Sequence, residues 1–135
     1  KEARAAGAQV VPIPGPAAVV AALSAAGIPA DRFVFEGFLP TKPGRRLNRL
    51  KALRDIDMTV VLYESPHRLL KTLEVIGQIF GDAEVVVARE LTKQFEEIVA
   101  ASAAELLLHF KERGVRGEFT LVIPRGCPGG TPGVY

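Results

Sequence analysis

Two short strings, YESPHR at residues 63–68 and RELTK at residues 89–93, combine acids, cations and a histidine in a few positions. Each directly follows a Val-rich apolar run that is typical of a buried strand. In open α/β sheets the ligand crevice lies beyond the strand ends, where loops hold side chains against a rigid support. The two strings are therefore predicted to converge at one edge of a sheet, with His67 as a candidate base. The alternative is a pair of solvated strand ends with incidental ion pairs.

Several other chemistries lack their usual residues. His67 and His109 are the two histidines, and no CxxC, HExxH or carboxylate-loop spacing occurs, so we predict no metal site. There is no P-loop and no GxGxxG, and no nucleophile-elbow context favours covalent hydrolysis. The single cysteine, Cys127, excludes an internal disulfide and suits a reducing cytosol.

The composition is that of a globular domain. The chain has 135 residues, of which 48% are hydrophobic and 24% charged. A length of this order predicts one domain with a substantial core. No apolar run approaches the ~20 residues that cross a bilayer. The 17 basic and 15 acidic residues nearly cancel to a net charge of +2, so a binding surface would depend on how they cluster.

Apolar periodicity predicts strands and helices in alternation, and hence an α/β fold with a sheet covered by helices. Strands are predicted near 9–13, 32–39, 58–63, 84–88, 95–101 and 117–124, and helices near 17–26, 41–57, 67–80 and 103–113. Pro14-Gly15-Pro16 reads as a stiff linker. Ser65 before Pro66 is predicted to cap the helix that starts at His67.

Five ordered strings carry a family resemblance: VPIPGPAAVVAALSAAGIP, FVFEGFLP, LYESPHRLL, VVVARELTK and GEFTLVI. They resemble the tetrapyrrole methylase family of S-adenosylmethionine enzymes, in particular its members that methylate the ribose 2′-hydroxyl of a cytidine in bacterial 16S ribosomal RNA. The resemblance runs from residue 1 to about residue 124.

The resemblance implies two α/β domains joined near the PGP linker, with the methyl donor in the cleft between them. Residues 1–16 would be the end of the N-terminal domain and the linker. Residues 17–124 would be the C-terminal domain, with a roughly five-stranded mixed sheet flanked by helices, and residues 125–135 a flexible tail. Because the chain is expected to start within a longer protein, it is expected to be inactive alone.

The resemblance also implies which residues contact the donor. They are Ala17, Ala18, Tyr63, Glu64, Leu91 and Thr120. Relatives usually have serine where Ala17 stands, so a hydroxyl contact to the donor carboxylate is missing here. Leu91 falls near the expected adenine position, and Thr120 lies on the strand that closes the same pocket.

The implied reaction is attack of a ribose 2′-hydroxyl on a sulfonium methyl group. A charged donor needs little activation, so positioning and a nearby base suffice. Glu64, His67 and Glu90 are the expected proton acceptors, in that order. Arg68, Arg89 and Lys93 are expected to hold phosphates.

The predicted helix within 41–57 carries the densest positive charge, at Arg45, Arg46, Arg49 and Arg54. It is either a solvated helix face or a contact for the RNA backbone, and the resemblance favours RNA contact through Arg45, Arg46 and Arg49.

The resemblance finally implies S-adenosylmethionine as cofactor, 16S ribosomal RNA or the small ribosomal subunit as partner, a homodimer and a cytoplasmic location. Two rivals stay open: a small-molecule tetrapyrrole methylase of the same fold, and a non-catalytic RNA-binding or dimerisation module. The clustered cations favour a phosphate-rich substrate over a tetrapyrrole.

Overall fold

The computed structural model describes residues 2–9, 17–90, 94 and 96–125. Its helices are α1 Glu2–Ala5, α2 Ala18–Ala26, α3 Pro43–Arg54, α4 Leu69–Phe80 and α5 Ala103–Arg113. Its strands are β1 Phe33–Phe38, β2 Thr59–Glu64, β3 Glu84–Arg89, β4 Glu97–Ser102 and β5 Phe119–Ile123. Most of the strand predicted at 9–13, the PGP linker and the tail from residue 126 lie outside the described residues.

The strands form one mixed sheet in the order β1-β2-β5-β3-β4, which confirms the predicted α/β class and strand number. β1 and β2 are parallel, whereas β5 is antiparallel to both β2 and β3, and β4 is antiparallel to β3. β1, β2 and β3 therefore end at one edge of the sheet, where β4 and β5 begin. We call this edge the rim, and it comprises Phe38, Glu64, Arg89, Glu97 and Phe119.

The two faces of the sheet carry separate apolar clusters. α3, α4 and α5 cover one face, where Leu50, Leu73 and Leu106 pack on alternate strand residues. α2 covers part of the other face through the small side chains of Ala22 and Ala26. Because side chains alternate along a strand, this arrangement assigns every rim residue to either a three-helix face or an α2 face.

A hydrogen bond fixes the segment that follows α2. Thr59 begins β2 at the edge opposite the rim, and its hydroxyl donates a 2.6 Å hydrogen bond to the carbonyl of Pro29, just after α2. The C-terminal end of α2 therefore lies near the edge opposite the rim.

β1 is left uncovered on the α2 face. Phe33, Phe35 and Phe38 are 42%, 47% and 58% exposed, and we call these three residues the open strip. The pairing of β1 with β2 is interrupted between Phe35 and Gly37, where β1 contains one extra residue. Gly37 has φ of 72°, a conformation that glycine adopts without steric cost.

The start of α4 differs from the prediction. The helix begins at Leu69 rather than His67, because residues 66–68 form a turn in which the Ser65 carbonyl accepts from the N–H groups of Arg68 and Leu69. The predicted cap by the Ser65 hydroxyl is wrong. That hydroxyl accepts from Nε of Arg68 at 3.3 Å instead.

Within the described ranges, no helix combines the length and the apolar character that a membrane crossing requires.

Candidate active site at the sheet rim

The rim brings the two charged strings together. Glu64 at the end of β2 and Arg89 at the end of β3 both pair with Phe119, from opposite sides of β5. Two strand spacings separate their backbones by about 10 Å. The predicted convergence at one sheet edge is therefore confirmed for YESPHR and for Arg89-Glu90, whereas residues 91–93 of the second string lie outside the described residues.

Alternation along the strands separates the candidate residues onto two faces. Tyr63 lies directly opposite Thr120, and Thr120 lies opposite Ala88 on its other side, so these three side chains share the α2 face. Glu64 and Arg89 point to the three-helix face. Two groups of candidates thus occupy one edge but opposite sides of the sheet.

The N-terminus of α2 adds backbone donors on the α2 face. Ala17 is the N-cap residue with extended backbone geometry, it is exposed, and it supplies no side-chain hydrogen bond to the helix. The first N–H groups of a helix lack intrahelical partners and favour anions. Among the described residues, no side chain caps those groups at this end. The other expected donor contact, Leu91, lies outside the described residues, as does Lys93.

Glu64 is held in a closed set of hydrogen bonds. Only 4% of the residue is exposed. Oε1 accepts from the backbone N–H of Ser65 at 2.9 Å and lies 3.3 Å from Nε of Arg68, and Oε2 accepts from the hydroxyl of Thr72 at 2.7 Å. These contacts join the tip of β2 to the first turns of α4. Their geometry gives Glu64 a positioning role and little access to a substrate.

Glu90 follows β3 with a positive φ of 51°, which is costly for a residue with a side chain. Its backbone N–H donates to the carbonyl of Glu118 at 2.9 Å, and its Oε1 accepts from the N–H of Glu118 at 2.7 Å. The side chain lies against Gly117, where a methyl group would be 2.7 Å from Cγ and closer still to the carboxylate. Glu90 therefore fastens the end of β3 to the turn before β5.

Arg89 belongs to a polar cluster beneath α5. Its Nη1 lies 3.7 Å from Oε2 of Glu97, and Oε1 of Glu97 lies 2.7 Å from Nε2 of His109. His109 also packs edge-on against Phe110, with ring centroids 4.9 Å apart. The carboxylate of Glu97 thus neutralises part of the charge on Arg89, while Nε of Arg89 is buried and has no hydrogen-bond partner among the residues that the structure describes.

His67 and Arg68 occupy the turn between β2 and α4. His67 is exposed, and within the described residues it makes no hydrogen bond or ion pair. Arg68 directs Nε toward Glu64 and lays its guanidinium over the ring of Phe38, 5.9 Å from the centroid. This turn places a titratable ring and a cation together at the rim.

The cations of α3 differ sharply in environment. Arg46 is 5% exposed and donates to the carbonyls of Pro40 and Thr41, so it holds the loop after β1. Arg49 forms a two-point pair with Glu36 at 2.5 and 2.7 Å, and this hydrogen bonding raises the pKa of the guanidinium. Arg45 is exposed and has no ion-pair partner in the part of the chain described here. Among the three, Arg45 has the most available charge.

No group of three or more His, Cys, Asp or Glu side chains in the described ranges is placed to hold a metal ion.

Two features of the rim were missed by sequence reasoning. The period-two pattern of β1 does not indicate that the ring of Phe38 is exposed beside Tyr63. The strand pattern of β5 does not indicate that Gly117 lies against the side chain of Glu90. Glycines inside EGF and RGE were the available signal, because an isolated glycine in a strand pattern suggests a bulge or a close approach.

We predict that Glu64→Ala lowers the free energy of unfolding by about 2 to 4 kcal/mol, because it leaves Arg68 and Thr72 without their buried acceptor. Urea denaturation of the 135-residue chain measures this. Glu74→Ala, an exposed change on α4, is the matched control and should stay within about 0.5 kcal/mol. Equal effects of the two substitutions would contradict the positioning role.

We predict that Gly117→Ala and Glu90→Ala are energetically coupled by about 1 kcal/mol or more, since a methyl group at Gly117 displaces the Glu90 side chain and breaks its bond to Glu118. A double-mutant cycle followed by thermal unfolding gives the coupling. Gly114 also has positive φ but has no atom near its missing side chain, so Gly114→Ala should show no coupling to Glu90. Additive Gly117 and Glu90 effects would refute the contact.

The chain is similar to known proteins in sequence and in structure. The family described as Tetrapyrrole (Corrin/Porphyrin) Methylases matches residues 1–107. The chain is 50% identical over 107 residues to "Ribosomal RNA small subunit methyltransferase I" of Pseudomonas aeruginosa, covering 78% of this chain and 38% of that protein. It is 50% identical over 123 residues to the protein of the same name from Escherichia coli O157:H7, covering 89% and 43%. The chain thus spans about two fifths of these curated relatives.

Solved structures agree on the fold. A cobalt precorrin-4 methyltransferase superposes with a TM-score of 0.63 at 21% identity, covering 90% of this chain and 54% of that one. A diphthine synthase superposes with a TM-score of 0.65 at 18% identity, covering 91% and 51%. At these identities the likeness concerns the fold alone. The family match over residues 1–107 shows that the chain belongs to the tetrapyrrole methylase family.

Proposed function

We propose that this chain is the C-terminal domain of an S-adenosylmethionine-dependent methyltransferase that modifies the ribose 2′-hydroxyl of a cytidine in 16S ribosomal RNA. The observation that carries the proposal is the 50% identity, over 123 residues, to a relative named for methylation of small-subunit ribosomal RNA. In this division residues 1–16 end a preceding domain with its linker, residues 17–124 form the domain described above, and residues 125–135 are a tail.

The α2 face of the rim fits the methyl donor. The N-terminus of α2 supplies open backbone N–H groups for a carboxylate, and its alanines leave room for close approach. Tyr63 and Thr120 are paired on the same face, where the half-buried ring of Tyr63 would contact the donor and the buried Thr120 would lie beneath it. The donor supplies an electrophilic methyl group on a sulfonium. Ala17, Ala18, Tyr63 and Thr120 are the described residues that hold it, and Glu64 supports Tyr63 from the opposite face.

The chain's part in catalysis is to orient the ribose and accept its proton. Orientation alone can supply on the order of 7 to 11 kcal/mol of the barrier. When bound, S-adenosylmethionine would supply the methyl group that the 2′-oxygen takes up, with the neutral thioether as leaving group, and the chain would supply the base that accepts the hydroxyl proton. We propose His67 ahead of Glu64 and Glu90 for this step, because its ring is exposed at the rim while the two carboxylates are engaged in hydrogen bonds.

RNA phosphates would meet cations near the rim, of which Arg45 is exposed and Arg68 and Arg89 are half-buried. Arg45 and Arg68 are supported by their positions, and Arg89 contributes charge that Glu97 only partly neutralises. Arg49 could contact a phosphate only if its guanidinium shared or gave up its hydrogen bonds to Glu36. Arg46 is better explained as a support for the loop after β1. Lys93 remains a candidate on sequence grounds.

The intact enzyme would act in the cytoplasm, where ribosomal RNA is found, and as a homodimer. A small-molecule tetrapyrrole methylase and a non-catalytic RNA-binding or dimerisation module are the rival functions. Calorimetry with S-adenosylmethionine distinguishes the proposed function from the non-catalytic module. The intact protein should bind the donor more tightly than the 135-residue chain if this chain is part of a donor-binding enzyme, and a non-catalytic module should show no such gain.

The direct test incubates the intact protein with methyl-labelled S-adenosylmethionine and small ribosomal subunits from cells that lack the gene. We expect label in 16S RNA, and primer extension should locate it at a cytidine 2′-oxygen. Labelling of a tetrapyrrole but not of RNA would replace the proposal with the first rival.

We predict that His67→Gln lowers kcat about 10²- to 10⁴-fold while leaving the KM for the subunit within a few-fold, because a base acts on the chemical step. His109→Gln is the control, since His109 lies on α5 and its ring is hydrogen-bonded to Glu97. It should leave kcat nearly unchanged. Equal kcat for both variants and the unmodified enzyme would remove His67 from the mechanism.

A further inference from the structure

Phe38 is the most exposed member of the open strip and its only member at the rim. Its exposed fraction is 58%, against 42% for Phe33 at the far end of the same strand. Phenylalanine has no polar atom to satisfy in water, so an exposed ring beside a candidate site suggests a ligand surface.

The backbone of β1 turns this ring onto the α2 face. Simple alternation from Phe35 would place Gly37 on that face and Phe38 on the three-helix face. The extra residue in β1 shifts the pairing, so that Phe38 lies opposite Tyr63. Bulges of this kind re-aim a side chain and are frequent beside active sites. The positive φ of Gly37 permits the shift.

The ring is held in place by its neighbours. Tyr63 contacts it edge to face, with centroids 5.8 Å apart and planes at 63°, and Tyr63 contacts Phe35 at 4.9 Å in the same manner. The guanidinium of Arg68 lies over the ring. An aromatic surface that is already fixed loses little conformational entropy when it binds a planar partner.

The charge around Phe38 favours a polyanion. Lys42 and Arg45 follow β1 by a few residues, both are exposed, and neither has an ion-pair partner among the described residues. An apolar protein surface seated here would have to bury such cations, which is costly without partners. Aromatic rings flanked by cations are the combination that binds unpaired RNA bases and their phosphates.

We propose that Phe38 is a stacking surface for an unpaired nucleobase of the RNA substrate, with Lys42 and Arg68 contacting adjacent phosphates. The proposal rests on the proposed function and names a positioning residue for it. Stacking at Phe38 would fix one nucleotide at the end of β1, beside the face of the rim where Tyr63 and Thr120 lie.

The experiment compares Phe38→Leu, Phe38→Tyr and Phe33→Leu in the intact protein. Phe33→Leu is the matched control, because it changes the same strand and face at the far end. The probes are an oligoribocytidylate of about 12 nucleotides and a strand of equal length with abasic central positions. A fluorescent pyrrolocytidine within the first probe reports stacking, and sedimentation velocity reports the oligomeric state.

We expect Phe38→Leu to weaken binding of the oligoribocytidylate about 5- to 100-fold and to relieve quenching of pyrrolocytidine, with no effect on the abasic strand or on S-adenosylmethionine binding. Phe38→Tyr should restore stacking, and Phe33→Leu should change nothing. Equal binding of both probes by unmodified protein would overturn the proposal. Equal losses of oligoribocytidylate binding in the Phe38→Leu and Phe33→Leu proteins, with altered sedimentation of both, would also overturn it, because they indicate a protein interface.

These outcomes are separable from failure of the proposed function. If the unmodified protein methylates 16S RNA but does not distinguish the base-bearing strand from the abasic one, the stacking surface is refuted and the activity stands. If base-dependent binding at Phe38 is found without methyl transfer, the stacking surface stands and the enzymatic function is refuted.

Discussion

The antiparallel insertion of β5 between β2 and β3 is the constraint on which the rest of the structure depends. It makes β2 and β3 parallel to each other, so both end beside Phe119 and bring two charged strings to one edge. Any slip of β5 by one residue would exchange Phe119 and Thr120 between the faces and expose a core aromatic. Its five residues are all buried, which makes such a slip costly.

The same strand pairing separates support from binding. On the three-helix face, the carboxylate of Glu64 contacts Thr72 and Arg68 and thereby joins the end of β2 to α4. The carboxylate of Glu97 contacts Arg89 and His109 and joins the end of β3 and the start of β4 to α5. On the α2 face, the rim carries the half-buried Tyr63, the buried Thr120 and the exposed Phe38. Satisfied polar networks rigidify a structure, and the hydrogen bonds of Glu64 do so at the tip of β2.

Much of this was predictable because buried strands and helices have strong periodic signals. The Val-rich runs before YESPHR and RELTK specified β2 and β3 within a residue or two, and their polar ends indicated the rim. The face of each side chain was not predictable. Arg45 and Arg46 are neighbours in sequence, yet the first is exposed and the second buried, because only packing sets the rotation of α3. The hydrogen bond from Thr72 to Glu64 and the contact of the Glu90 side chain with Gly117 also depend on tertiary packing. The bulge in β1 breaks the side-chain alternation that would otherwise predict the face of each of its residues.

We propose that the methyl donor binds on the α2 face of the rim while the opposite face supports it. The most direct measurement is a crystal structure of the intact protein with S-adenosylhomocysteine. The account predicts ligand atoms in contact with Tyr63, Thr120 and the first backbone N–H groups of α2, and unchanged hydrogen bonds at Glu64. A ligand seated among Glu64, Arg89 and Glu97 on the three-helix face, or away from the rim altogether, would contradict it.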